Sequence, residues 1–140
     1  GSGIVIEAGA SEEAQALKVQ ATDAYERQLK AFPEAAYGHA IHHFLTTDSE
    51  RALELAQLNH TLRPGHEAKT LLAASFLGLG KTKQAIEVVQ EIEQSGWSTA
   101  EYHAIAHCAY KRFGNNADTA KHAAAAAKIS TKALEKFGCE

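Results

Sequence analysis

The sequence predicts an all-α fold: an array of antiparallel helix pairs, about seven helices in all. Three observations predict it. The stretch 71–92, LLAASFLGLGKTKQAIEVVQEI, holds two helical periodicities around one break. Leu72, Phe76 and Leu79 recur at helical spacing before Gly80 stops the first helix, and Ala85, Val88, Val89 and Ile92 form the apolar stripe of the second, with Thr82 placed to cap it. The same landmarks then return along the chain: Ala52 precedes Ala85 by 33 positions, Tyr110 and Gly114 follow Phe76 and Gly80 by 34, and Ala120 follows Ala85 by 35. Finally, Pro33 and Pro64 each close a segment twelve positions after an alanine, Ala21 and Ala52. One helix pair cannot bury both of its faces, so a repeating pair implies a stack.

The elements follow in order. Residues 1–10 hold the short apolar arm Ile4 to Ala10, expected to be flexible or to cover an exposed face. Gly1-Ser2-Gly3, in a chain with no methionine, reads as the remnant of an expression tag, so the natural start is expected upstream of Ile4. Ser11 is a good N-cap, and Glu12 and Glu13 suit a helix's positive end. That helix is expected to run to about Phe32, with Leu17, Ala21, Ala24, Tyr25 and Leu29 inward. Pro33 starts the next helix, where its missing N–H costs nothing, and Ala36, Ala40, His43 and Phe44 lie on its inner face. Thr47 with Glu50 makes a capping box for a partner helix with the stripe Ala52, Leu55, Ala56, Leu58 and Leu62, ended by Arg63-Pro64-Gly65. Beyond the central pair, Trp97 is expected to anchor two units, and Ser98 with Glu101 makes a second capping box. Asn115 and Asn116 form a turn, Asp118 caps the last helix, and that helix runs on to Phe137-Gly138. Its five alanines, Ala123 to Ala127, favour helix and permit close approach, and the region past Ser130 reads as the terminal cap such arrays need.

The order Leu72, Ala73, Phe76, Gly80, Ala85, with a period near ~34 residues, resembles the tetratricopeptide repeat (TPR) family. The resemblance covers nearly the whole chain. It implies a right-handed superhelical α-solenoid: a half repeat at 11–32, full repeats at 33–65, 66–98 and 99–138, and a single domain over 11–138. Such scaffolds host many partners, so the resemblance speaks to fold more than to function.

Composition excludes several classes. With net charge −3 and pI about 6.3 the chain lacks the basic character of a nucleic-acid or anionic-membrane binder. No apolar run approaches the ~20 residues of a membrane span. Two cysteines, Cys108 and Cys139, are too few for a disulfide framework, and Cys108 is expected as a small buried apolar residue. Compartment stays open.

No phosphate-cradling loop, CxxC or nucleophile motif is present, so no catalytic residue and no cofactor are expected. The oddity is eight histidines. His39/His43 and His103/His107 are spaced i,i+4, which sets both rings of a pair on one helix face, where they can ligate zinc, copper or nickel. His42 flanks the first pair and Cys108 the second. The two pairs cannot share an ion, because neighbouring helix axes alone stand ~8–10 Å apart. Each pair needs a third ligand, for which His122, near His107, is the visible candidate. The plainer reading, and the preferred one, makes these histidines structural, with His60 and His66 solvated. A metal-binding protein is the alternative function.

The resemblance also implies a concave groove lined by the first helix of each pair. The family's groove positions fall on Tyr37, Ile41 and Phe44, then Thr70, Leu71, Ala74 and Leu77, then Glu101, Ala104, Ile105, Cys108, Lys111 and Arg112. Known TPR adaptors grip a partner's terminal carboxylate with Lys, Asn and Arg. Those places hold Tyr37, Ile41, Leu71, Glu101 and Ile105 here, so that mode is not expected. The groove reads as apolar with a basic edge at Lys111 and Arg112, suited to an amphipathic helix or an apolar extended segment. The expectation is a non-catalytic protein-interaction module, binding a peptide or helix or pairing with itself as a homodimer. The opposite case is a groove too narrow to be open, filled by the chain's own arm or by a second copy.

Overall fold

The structure, a computed structural model, describes the backbone of residues 2–139 and the side chains of residues 11–139. Every regular element among them is helical: α1 (Ser2–Ala31), α2 (Pro33–Thr47), α3 (Ser49–Leu62), α4 (His66–Gly78), α5 (Thr82–Ser95), α6 (Ala100–Phe113), α7 (Asn116–Ile129) and α8 (Ala133–Phe137). The most extensive contacts join consecutive helices, α2 with α3, α4 with α5, and α6 with α7. The fold is an all-α array of helix pairs, with eight helices among the described residues rather than about seven.

The arrangement of the pairs sets the shape. The backbones of α2 and α4, and of α4 and α6, lie side by side, whereas among the described residues those of α3, α5 and α7 do not approach one another. The first helices of the pairs therefore lie on the inside of the curve. The core is divided accordingly. One cluster, with Ile41, Phe44, Leu55 and Leu71, fills the space from α2 to α4. A larger one, with Val89, Ile92, Tyr102 and Ile105, runs from α4 to α6. A third joins Ala104, Ala126 and Ala133 across α6, α7 and α8.

Several boundaries depart from expectation for local reasons. The helix expected from Ser11 begins at Ser2, so Ser11 lies inside α1 rather than capping it, and the backbone expected as an arm is helical. The side chains of Ile4, Val5 and Ile6 lie outside the described residues. Caps fall one to three residues away from the expected ones. Asp48, not Thr47, accepts the Arg51 N–H at 3.1 Å. Thr99, not Ser98, accepts that of Tyr102 at 3.1 Å. Asn115, not Asp118, opens α7, accepting the Asp118 N–H at 3.0 Å. Lys81 occupies the cap position of α5 without a side-chain bond, and Thr82 is already helical. In each capped case the short side chain stands three residues before the N–H it reaches, as an N-cap does.

Burial also corrects the expected stripes. Ala85, Val88, Val89 and Ile92 are buried as expected, but Leu58 and Leu62 are exposed and Leu53 is buried instead. Leu17, expected inward, is 64% exposed. Trp97, expected to anchor two units, is half-buried against the α4–α6 cluster, as is Phe76. The last helix does not run through to Phe137. Ser130 adopts an extended backbone at φ −150° and ψ 122°, which ends α7 and lets α8 turn back onto α6.

Candidate functional site

The inner side of the array carries the residues expected to line a groove, and they are packed. Ile41 and Ala104 are fully buried, and Tyr37, Phe44, Leu71, Leu77, Ile105 and Cys108 are nearly so. Thr70 is buried with its hydroxyl donating to the His66 carbonyl at 2.8 Å. Ala74 and Glu101 are half-buried, while Lys111 and Arg112 are exposed. Arg112 is not a free cation at the edge: its Nη1 donates to the Leu77 carbonyl at 2.6 Å, at the end of α4 where a helix presents unpaired carbonyls and negative potential. These side chains meet neighbouring helices instead of facing an open channel.

Two features close the inner side. His42 on α2 reaches across to α6, its Nε2 2.7 Å from Glu101 Oε1, while its Nδ1 lies 2.8 Å from the Gly38 carbonyl. The hydrogen bond to Glu101 raises the His42 pKa above its usual value, against the opposing effect of burial. The second feature is the C-terminal segment. α8 sets Ala133, Leu134 and Phe137 against Ala100 and Ala104 of α6 and Ala126 of α7. Phe137 also comes within 6.1 Å, ring to ring, of His42. Cys139 is bonded to Cys108, with Cα atoms 5.6 Å apart, inside the ordinary range for a disulfide. Cys108 is thus buried as expected but is not a lone apolar thiol. The cover comes from the C-terminal end, the region read as a terminal cap, whereas the case of a filled groove had named the chain's own arm or a second copy. A signal for it existed, since these are the only two cysteines in the chain.

The histidines do not act as i,i+4 pairs. His39 is exposed, while His43 is half-buried, bonded to Thr22 at 2.8 Å and stacked on Tyr25. His107 bonds the Thr119 carbonyl through Nδ1 at 2.9 Å. His103 turns away from it to His122, Nδ1 to Nδ1 at 2.9 Å, so the expected third ligand meets His103 rather than His107. Among the described residues no three His, Cys, Asp or Glu side chains converge to hold a metal ion. His60 and His66, expected to be solvated, are half-buried, and His66 lies against Trp97.

His103 and His122 belong to a longer chain of hydrogen bonds. Ser98 Oγ is 2.6 Å from His103 Nε2, and His122 Nε2 is 2.6 Å from Glu93 Oε1. Tyr110 donates to the same carboxylate at 3.2 Å. The protons can be assigned link by link. An ionised Glu93 only accepts, so His122 donates through Nε2. Neutral His122 then accepts at Nδ1 from His103, and His103 accepts at Nε2 from the Ser98 hydroxyl. His122 is 2% exposed, and Tyr110 stacks on it with rings 9° from parallel. Burial, then the neighbouring His122, holds the His103 pKa below its usual value. Burial, then the Glu93 charge, pushes the Tyr110 phenol up to about 12. The network ties α5, α6 and α7 together with one proton per link. Glu93 and Tyr110 gave no sign of this in the sequence, because their roles depend on three helices meeting.

No protein-family profile and no curated protein matches this chain.

Proposed function

We propose that the protein is a non-catalytic interaction module of the TPR-like kind, taking a peptide or amphipathic helix from a protein partner on the inner side of its helix array. The observation that carries this reading is the chain's own α8. A short helix with apolar residues Ala133, Leu134 and Phe137 lies against the small side chains of α6 and α7. A surface that accepts one such helix has the depth and chemistry for another. Exposed Lys111, three residues beyond Cys108, continues this face along α6. Self-association through the exposed side of α1 is part of the same proposal. No nucleic-acid partner is expected from the charge, and no helix of the described residues is long and apolar enough to cross a membrane.

A peptide library displayed on phage and panned on the purified protein, both oxidised and reduced with dithiothreitol, tests the reading. Enriched sequences are expected to carry apolar residues at i,i+3 or i,i+4 spacing, and Ala100→Glu, at the seat of α8, should abolish the enrichment. Recovery no better than on an unrelated helical protein would refute it.

A further inference from the structure

Residues 100, 104 and 108 follow one another at i,i+4 along a single face of α6. All three lie under the C-terminal segment. Ala100 and Ala104 meet Leu134, Phe137 and Ala133, and Cys108 is bonded to Cys139. α8 has only five residues, too few to be a stable helix alone, so it owes its form to this seat. The three residues between α7 and α8 form a short tether that keeps α8 near the seat at high effective concentration. The disulfide adds a covalent hold at the far end. A competing segment must therefore displace a ligand that is tethered at one end and bonded at the other.

We propose that the Ala100–Ala104–Cys108 face of α6, together with Ala126 of α7, is a helix-docking site occupied in cis by α8 and latched by the Cys108–Cys139 disulfide. Its partner in trans is an amphipathic helix resembling α8, with small and large apolar residues at i, i+1 and i+4. The inference rests on the interaction-module reading and names its site, ligand class and control. Opening the latch is a thiol–disulfide exchange. A dithiol attacks one sulfur, a mixed disulfide forms, and the second thiolate of the reagent resolves it. Cys108 and Cys139 leave as two thiols, and the dithiol becomes its cyclic disulfide. The buried face of the seat is apolar and small, so release of α8 bares a surface of the kind that partners recognise.

The test uses the full chain, oxidised or treated with dithiothreitol, beside Cys139→Ser, which cannot form the bridge. The probe is a fluorescein-labelled peptide TKALEKFG, the sequence of residues 131–138, with an order-scrambled peptide as control. Hydrogen exchange at residues 133–137 is expected to quicken by at least about tenfold on reduction, with α4 to α6 unchanged. The labelled peptide should bind the reduced chain and Cys139→Ser saturably and leave the oxidised chain unbound. Equal protection of α8 with and without reductant would overturn the latch and leave the interaction-module reading standing, as would two free thiols in unreduced, denatured protein. Release of α8 without peptide binding would overturn the docking face, and with it the proposed function.

Discussion

His103 and His42 respond to acid in opposite directions, though both reach partners on other helices. Burial and the neighbouring His122 depress the His103 pKa. The unfolded chain then takes up its proton first as pH falls. Stability from this group is present above its unfolded value of about 6.5 and is lost as pH falls through the lower, folded value. His42 is the reverse case: its pKa is raised by Glu101, so its contribution is full below the unfolded value and fades as pH rises through the folded one. Urea midpoints at pH 7.5 and 5.0 should show an acid-side loss that shrinks in His103→Gln. An unchanged loss in that variant would place its origin elsewhere. The sequence reading stopped short at these residues because i,i+4 spacing reports a shared helix face, whereas Ser98, His122 and Glu93 are brought to His103 by other elements.

At the scale of the element, helix ends were the most legible features. Gly80 has φ +72°, with its N–H bonded to the Leu77 carbonyl and the Lys81 N–H to that of Phe76. Gly114 has φ +94°, and the Asn115 N–H reaches back to Tyr110. Both are left-handed glycine stops, in which the turn satisfies carbonyls that the helix leaves unpaired. Gly80 and Gly114 were recognisable without a structure because only glycine takes this conformation at no steric cost. A Cβ at Gly114 meets no atom within 4 Å, so the cost of Gly114→Ala should be conformational alone. It is expected to be about 1–2 kcal/mol, measured by chemical denaturation. A loss below roughly 0.3 kcal/mol would mean the turn relaxes to another form. The helix starts were less legible. Thr47 and Asp48, Ser98 and Thr99, and Asn115 and Asp118 are all competent caps, and which member serves is set by where the preceding loop delivers the chain.

For the molecule as a whole, α1 is the element that the rest does not account for. It spans 30 residues, about 45 Å, yet among the described residues only α2 packs along it, and α3 adds one ion pair, Arg51 with Glu26 at 2.9 and 3.0 Å. Residues 11–20 are exposed throughout, with Leu17 at 64% and Val19 at 50%. Helices gain most of their stability from packing an apolar face, which this stretch does not do within the chain. An isologous pair of such ends would supply the missing partner. Light scattering is expected to give a homodimer that Leu17→Glu converts to monomer. A monomeric parent would remove self-association from the proposed function and leave the docking face unaffected.

Period, breaks and apolar stripes determined that the chain is an all-α stack of helix pairs. Those signals are local: a glycine stop, a proline start and a 3.6-residue periodicity act within a few residues of themselves. Which face of each helix is open was decided by the tertiary structure. Tyr37, Ile41 and Leu71 look the same in sequence whether they line a channel or pack against a neighbour, because an apolar side chain suits both. Leu17 and Leu62 show the converse, apolar residues left in solvent where the neighbouring helix runs out. The α7–α8 break, the reach of His42 to Glu101, and the joining of Cys108 to Cys139 were likewise set by three-dimensional approach. Each brings together residues between 31 and 59 positions apart, or depends on such a meeting, and no periodicity encodes that distance.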